Sequence, residues 1–198
     1  MQLDGAERIV FSEEEISRRV RELGKEITGD YTREHGPGVE VAVVSILKGG
    51  FIFLADLIRH IDLDLTVDFM AITSYWESSR GSGSVRIIKD LSESVYEKNL
   101  LVVEDIIDTG LTLSYILRNL RSRGPREVKI CTLLDRAVRR IAPFEISYRG
   151  FEVGEEYLVG YGLDHLQKWR NLRYICALEV PGPVQENHGP GKPGGFLA

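Results

Sequence analysis

Glu104, Asp105, Asp108, Thr109, Gly110 and Thr112 fall within one short segment, V-V-E-D-I-I-D-T-G-L-T, at Val102–Thr112. Adjacent carboxylates repel each other, and a fold tolerates them where a cation or several hydroxyls share the site. Small hydroxyls and the free amides at the start of a helix are good phosphate ligands. A glycine lets those amides approach the phosphate closely. The segment therefore offers acids for hydroxyls or magnesium, and a cradle for a monophosphate. A plain helix cap at Asp108 or Thr109 would account for one of these residues, not for three acids and two threonines.

Such a segment needs elements to hold it. Leu100–Val103 reads as a buried strand, and Leu113, Ile116, Leu117 and Leu120 mark one face of a following helix. Gly124 and Pro125 stop that helix. Val41–Leu47 is apolar except for Ser45, which suits a strand covered on both faces. Lys48-Gly49-Gly50 ends it, and a helix with Leu54, Leu57, Ile58 and Ile61 follows. Leu65–Ile72 is the next strand. Thr73, Ser74, Tyr75 and a Ser/Gly-rich stretch to Ser84 read as a long mobile loop, and Val85–Leu91 as the strand returning from it. Val128–Leu134 is a strand with Arg136 just past its end, and Tyr157–Tyr161 and Tyr174–Val180 are later ones. Near the N-terminus, Ser12 and Glu15 form a capping-box pattern, Phe11 and Ile16 a hydrophobic staple. Ile16, Val20, Leu23 and Ile27 share one helix face.

Alternating strands and helices with buried strands predict an α/β fold, a mainly parallel central sheet with helices on both faces. Ligands bind at the carboxyl ends of strands in such sheets. That pattern brings Lys48, Glu104, Asp105 and Arg136 to one edge.

The chain of 198 residues is long enough for one domain, expected over 1–180. The Pro/Gly-rich tail, 181–198, has no apolar period and is expected to be disordered. A net charge of −5 argues against a nucleic-acid partner held by bulk charge. No apolar run approaches the roughly 20 residues that span a bilayer, and Met1–Glu7 has no signal-type stretch. A cytoplasmic location without a membrane partner is therefore expected. Cys131 and Cys176 sit in apolar runs and read as buried, reduced thiols, with no Cys/His spacing for zinc.

Further motifs stand in order along the chain. They are L-K-G-G at Leu47–Gly50, S-Y at Ser74-Tyr75, L-L-D-R-A-V-R-R at Leu133–Arg140, and Y-L-V-G-Y-G-L-D at Tyr157–Asp164 with Arg170 beyond. With the acidic segment, they make the chain from about Phe11 to Val180 resemble the hypoxanthine-guanine phosphoribosyltransferase family. The acidic segment itself is similar to the phosphoribosyl-diphosphate signature of type I phosphoribosyltransferases. The resemblance implies that fold, with a small hood over the active site. It also implies a purine-salvage reaction. Ribose 5-phosphate passes from its 1-diphosphate to nitrogen 9 of hypoxanthine or guanine, giving IMP or GMP and diphosphate. The sugar becomes cation-like as the bond breaks, so the leaving diphosphate must be neutralised and the purine proton removed.

The same resemblance implies roles. Glu104 and Asp105 hold the ribose hydroxyls and a magnesium ion. Asp108 is the catalytic proton acceptor. Thr109, Gly110, Leu111 and Thr112 line the 5-phosphate pocket, with Ile106 and Ile107 in the same phosphoribosyl-binding segment. Lys48 and Gly49 belong to the diphosphate loop, where the family often has a cis peptide between the residues matching Leu47 and Lys48. Arg140 and Arg170 are diphosphate ligands. Asp164 binds a second magnesium beside the purine, Tyr157 stacks on the base, and the Leu158 backbone bonds its edge. Ser74 and Tyr75 open a flexible lid. Relatives form homodimers or homotetramers.

The chain departs from the pattern at Arg136, where the family usually has a lysine that donates to the 6-oxo group. Arginine also donates, but it is larger, planar and forked. Donation there argues against adenine and leaves the preference among hypoxanthine, guanine and xanthine open. Two alternatives stand beside the main reading. One is a phosphoribosyltransferase for xanthine or another base. The other is a regulator of the same fold that senses phosphoribosyl-diphosphate and binds nucleic acid. The regulator needs a basic face, and Arg118, Arg121, Arg123 and Arg126 read more simply as cations at a helix C-terminus.

Overall fold

The acidic segment closes the third of five parallel strands in the large sheet. A computed structural model describes residues 7–76 and 83–178. The middle of the expected lid, 77–82, and the expected tail, 181–198, lie outside the described residues.

The elements are β1 (Glu7–Phe11), α1 (Glu13–His35), β2 (Glu40–Leu47), α2 (Phe51–Leu57), β3 (Asp64–Trp76), β4 (Gly83–Lys89) and β5 (Asn99–Ile107). Then come α3 (Leu111–Arg121), β6 (Glu127–Asp135), β7 (Tyr148–Glu152), β8 (Tyr157–Val159) and β9 (Ile175–Leu178). The large sheet has the order β4-β3-β2-β5-β6-β7. β3, β2, β5, β6 and β7 are parallel, and β4 is antiparallel to β3. A second, small antiparallel sheet, β1-β9-β8, packs into a core shared with the large sheet through Leu158 and Ile175, and it occupies the part of the chain expected to form the hood.

The apolar strands divide their side chains between two cores, as the two-residue period requires. Val41, Val43, Leu101 and Val103 join the core beneath α1 and α2. Ala42, Val44, Ile46, Leu100 and Val102 join the core beneath α3. Each fully buried aliphatic side chain contributes about 1.5–3 kcal/mol relative to exposure. Ile16, Val20, Leu23 and Ile27 all lie in the first core, on the face that their spacing predicts. The Ser12–Glu15 capping box is formed in both directions. At the other end of α1, His35 Nε2 meets Glu127 Oε1 at 2.7 Å, which ties the helix to the start of β6. Cys131 and Cys176 are buried and free.

Three details differ from the sequence reading. β1 and β7 have no predicted counterpart. Each is a short edge strand carrying charge, and β7 contains Gly150. A Cβ there would lie 2.3 Å from the Leu133 carbonyl oxygen, so the glycine serves close backbone approach rather than apolar alternation. β5 runs on to Ile107, so Glu104 and Asp105 stand within the strand rather than after it. The N-cap of α3 is Gly110 at φ 75°, without a side-chain cap, so neither Asp108 nor Thr109 fills that place.

Candidate active site

The loops after β2, β5 and β6 meet the 157–170 segment at the carboxyl edge of the large sheet. They enclose two neighbouring clefts of about 270 and 350 Å³, which share Lys48, Gly49, Asp105 and Ile106. Glu104, Ile107, Asp108, Thr109, Gly110 and Thr112 line the first. Arg136, Tyr157, Leu158, Asp164 and Arg170 line the second. The sheet thus gathers most of the sequence-expected residues around two connected spaces. Leu111 starts α3 beside the first and is half exposed.

Glu104 is buried, and both desolvation and the neighbouring Asp105 push its pKa well above the usual carboxylate range. Desolvation raises Asp105 to about 6, against donation from the amides of Ile106 and Asp105 itself. Neither acid forms an ion pair with a described residue; the charge of Arg170 lowers the Asp105 pKa slightly without offsetting its burial. The peptide between Leu47 and Lys48 is cis. Gly49 then presses against Asp105, where a Cβ would come within 1.7 Å of Oδ2.

Asp108 is held differently. Its Oδ2 lies 3.1 Å from Arg139 Nη1 and 3.5 Å from Arg136 Nη1. Its Oδ1 is buried without a hydrogen-bond partner. The loop beyond is braced from beneath. Amides of Ile141 and Ala142 donate to the Thr109 carbonyl at 2.9 and 3.1 Å. Arg140 donates to the carbonyls of Asp108 and Ile107 at 3.2 and 3.4 Å, pairs with the buried Asp135, and packs over the Phe144 ring. Gly110 fits against that same ring.

Arg140, expected as a diphosphate ligand, therefore lies under the loop and lines neither cleft. Its fork is occupied by a buried carboxylate and two carbonyls, partners that the L-L-D-R-A-V-R-R motif does not reveal. Asp135 and Phe144 are functional supports that the sequence reading missed. The acid directly before a basic run was the available signal.

Arg136 is nearly buried at 8% exposure. Its Nε donates to Gly154 O at 2.8 Å and its Nη2 to Glu156 O at 2.7 Å. The forked guanidinium thus braces the chain just before β8 while still lining the second cleft. Tyr157 is 45% exposed, so its ring is not part of the core. Its hydroxyl donates to Asp164 O at 3.2 Å. Both Asp164 carboxylate oxygens are occupied, one by Arg170 Nη2 at 2.6 Å and the other by the Gln167 amide at 2.8 Å. Arg170 also donates to Gly162 O at 2.8 Å. Ser74 and Tyr75 lie in β3 opposite Val85 and Ser84 of β4, at the stem of the expected lid.

The arrangement can bind a dianionic phosphate at the glycine-led start of α3. It can hold a divalent cation at Glu104 and Asp105, and it can accept a proton at Asp108.

Comparisons with known proteins agree with this geometry. Residues 10–165 match the phosphoribosyl transferase domain. The chain is 46% identical over 173 residues to a hypoxanthine-guanine phosphoribosyltransferase of Bacillus subtilis, covering 87% of this chain and 93% of that protein. It is 44% identical over 168 residues to a hypoxanthine phosphoribosyltransferase of Buchnera aphidicola, covering 85% and 93%. A crystal structure of a Bacillus anthracis hypoxanthine-guanine phosphoribosyltransferase superposes with a TM-score of 0.80 at 40% identity, covering 86% of this chain and 98% of that one. The matched domain, the relatives and the fold all point to one family, and the chain belongs to the hypoxanthine-guanine phosphoribosyltransferases.

Proposed function

We propose that this protein is a cytoplasmic purine-salvage enzyme that transfers the 5-phosphoribosyl group from phosphoribosyl-diphosphate to nitrogen 9 of hypoxanthine or guanine. The bond from C1 of the ribose to the diphosphate oxygen breaks, and its electron pair leaves with the diphosphate. The purine nitrogen supplies the pair for the new bond, and its proton passes to Asp108. The observation that carries this reading is the loop Glu104–Thr112, which sets buried acids, Asp108 and a glycine-led helix start around one cleft. The phosphate is held by the amides and hydroxyls of Thr109–Thr112, above the Arg140–Asp135 brace.

Magnesium fits the acid pair. Glu104 and Asp105 are desolvated, Asp105 repels Glu104, and neither has an ion-pair partner among the described residues, with Arg170 acting on Asp105 only from beyond ion-pair distance; a hard dication relieves such a donor set. Bound there, it would neutralise the diphosphate as it leaves. Asp164 fits a second ion less directly, because both its oxygens are engaged; water between them and the metal, or release of Arg170, satisfies both demands. Tyr157 offers an exposed ring to the base, and Arg136 offers its remaining N–H groups to the 6-oxo oxygen. Ser74 and Tyr75 begin the lid that keeps water from the sugar cation. Assembly as a dimer or tetramer belongs to the same proposal.

The test is diphosphate release from phosphoribosyl-diphosphate and magnesium with hypoxanthine, guanine, xanthine or adenine. Turnover with hypoxanthine or guanine and none with adenine is expected. A preference for adenine, or no turnover with any of the four, would remove the reading.

A further inference from the structure

Gln167 belongs to none of the motifs above, yet it touches three residues of the diphosphate side. Lys48 Nζ and Arg170 Nη2 both donate to its Oε1, each at 3.3 Å. Its own amide donates to Asp164 Oδ2 at 2.8 Å. One neutral oxygen thus gathers two cations from the loop after β2 and the segment after β8.

The backbone is bent to achieve this. The Lys168 amide donates to His165 O at 3.0 Å, closing a tight turn whose central residues, Leu166 and Gln167, have φ of 52° and 65°. Residues other than glycine adopt that region at a cost, which persists where surrounding structure compensates. Burial of Leu166 is not the compensation, because its side chain is 79% exposed. What the turn accomplishes is to aim the Gln167 amide at Lys48 and Arg170.

Neutrality matters here. Lys48 has no carboxylate partner among the described residues. A carboxylate at the Gln167 position would gather the same two cations and also neutralise them. The amide gathers them and leaves the Lys48 charge for an anion, while Arg170 keeps its pairing with Asp164 at 2.6 Å.

We propose that Gln167 is a positioning residue that presents Lys48 and Arg170 to the leaving diphosphate, an inference that rests on the reaction proposed above. Its loss is expected to act on diphosphate more than on the base, because its side-chain amide contacts Lys48 and Arg170 and makes no described contact with Tyr157 or Arg136.

The experiment compares the full-length protein with Gln167→Ala and Gln167→Glu. It measures kcat, KM for each substrate, thermal midpoint, and calorimetric binding of magnesium diphosphate. Gln167→Ala is expected to weaken diphosphate binding and raise KM for phosphoribosyl-diphosphate by about tenfold, the scale for hydrogen bonds to charged groups. Gln167→Glu is expected to weaken both further, since a competing carboxylate then occupies the cations. KM for hypoxanthine should move less than about twofold, and the thermal midpoint should stay near that of the parent, as exposed substitutions usually allow. Unchanged diphosphate binding in both variants would overturn the inference, as would an equal rise in KM for both substrates. Because diphosphate binding is read without turnover, a parent inactive with every base would remove the proposed reaction while a Gln167 effect on diphosphate would still register.

Discussion

Gly49 packs against Asp105 so closely that a Cβ built on it would stand 1.7 Å from the carboxylate Oδ2. The contact joins the loop after β2 to the acid pair at the end of β5, so the two sides of the shared cleft cannot move independently. Gly49→Ala must displace either the Lys48–Gly50 backbone or Asp105. Its expected effect is a loss of turnover of about a hundredfold, the scale reported for misplacement of reacting groups by an ångström. Steady-state kinetics with saturating substrates check it. Near-parent turnover would show that the contact does not set the site.

Asp108→Asn keeps the shape of the side chain and removes its basicity. Turnover should fall by about 10²- to 10⁴-fold, the usual range for general acid–base catalysis. The circular dichroism spectrum should match that of the parent. An Asn variant with near-parent kcat would mean that Asp108 does not take the proton.

Arg136→Ala removes a side chain that both faces the base cleft and braces the carbonyls of Gly154 and Glu156. Base binding should weaken more than phosphoribosyl-diphosphate binding. The orphaned carbonyls should cost about 1–3 kcal/mol of stability as well. KM for hypoxanthine and for phosphoribosyl-diphosphate, with urea unfolding midpoints, separate the two effects. Equal weakening of both substrates would refute a base-reading role. Arg136→Lys is informative because lysine supplies a donor but not the fork: base binding should be partly restored and stability not.

Burial pushes the Asp105 carboxyl up to about 6, from the ordinary 3.8. Between those values the folded state holds a proton that the unfolded state has released. This raised pKa therefore stabilises the fold fully below the unfolded value, and the contribution is lost as pH rises through about 6. The effect amounts to about 3 kcal/mol, on the scale of 1.36 kcal/mol for each pKa unit. With magnesium chelated, the parent should lose more stability from pH 4 to pH 7 than Asp105→Asn does. Parallel curves for the two proteins would show that Asp105 ionises normally. Magnesium favours the ionised form, so adding it at pH 7 should restore stability to the parent and less to the variant.

The sequence alone determined the architecture and singled out the Glu104–Thr112 loop, because both rest on local signals. Two-residue and helical apolar periods report which faces are buried, and the carboxyl edge follows from a parallel sheet. The carboxyl-edge rule for a parallel sheet brings Lys48, Arg136 and the Glu104–Thr112 segment together from the sequence alone. The parts that it missed depend on partners distant in the chain. Arg140 carries the same charge whether it meets a diphosphate or Asp135, and only packing against Phe144 and the loop carbonyls turned it under the phosphate loop. Gly150 marks a close approach to Leu133 rather than a break in structure. Gln167 has no periodicity or motif to announce it, since its role arises from a left-handed turn that brings it to Lys48. Gly49 was legible as part of L-K-G-G, but the tertiary fold alone set Asp105 against it, because that contact joins two loops that meet only when β2 and β5 pair.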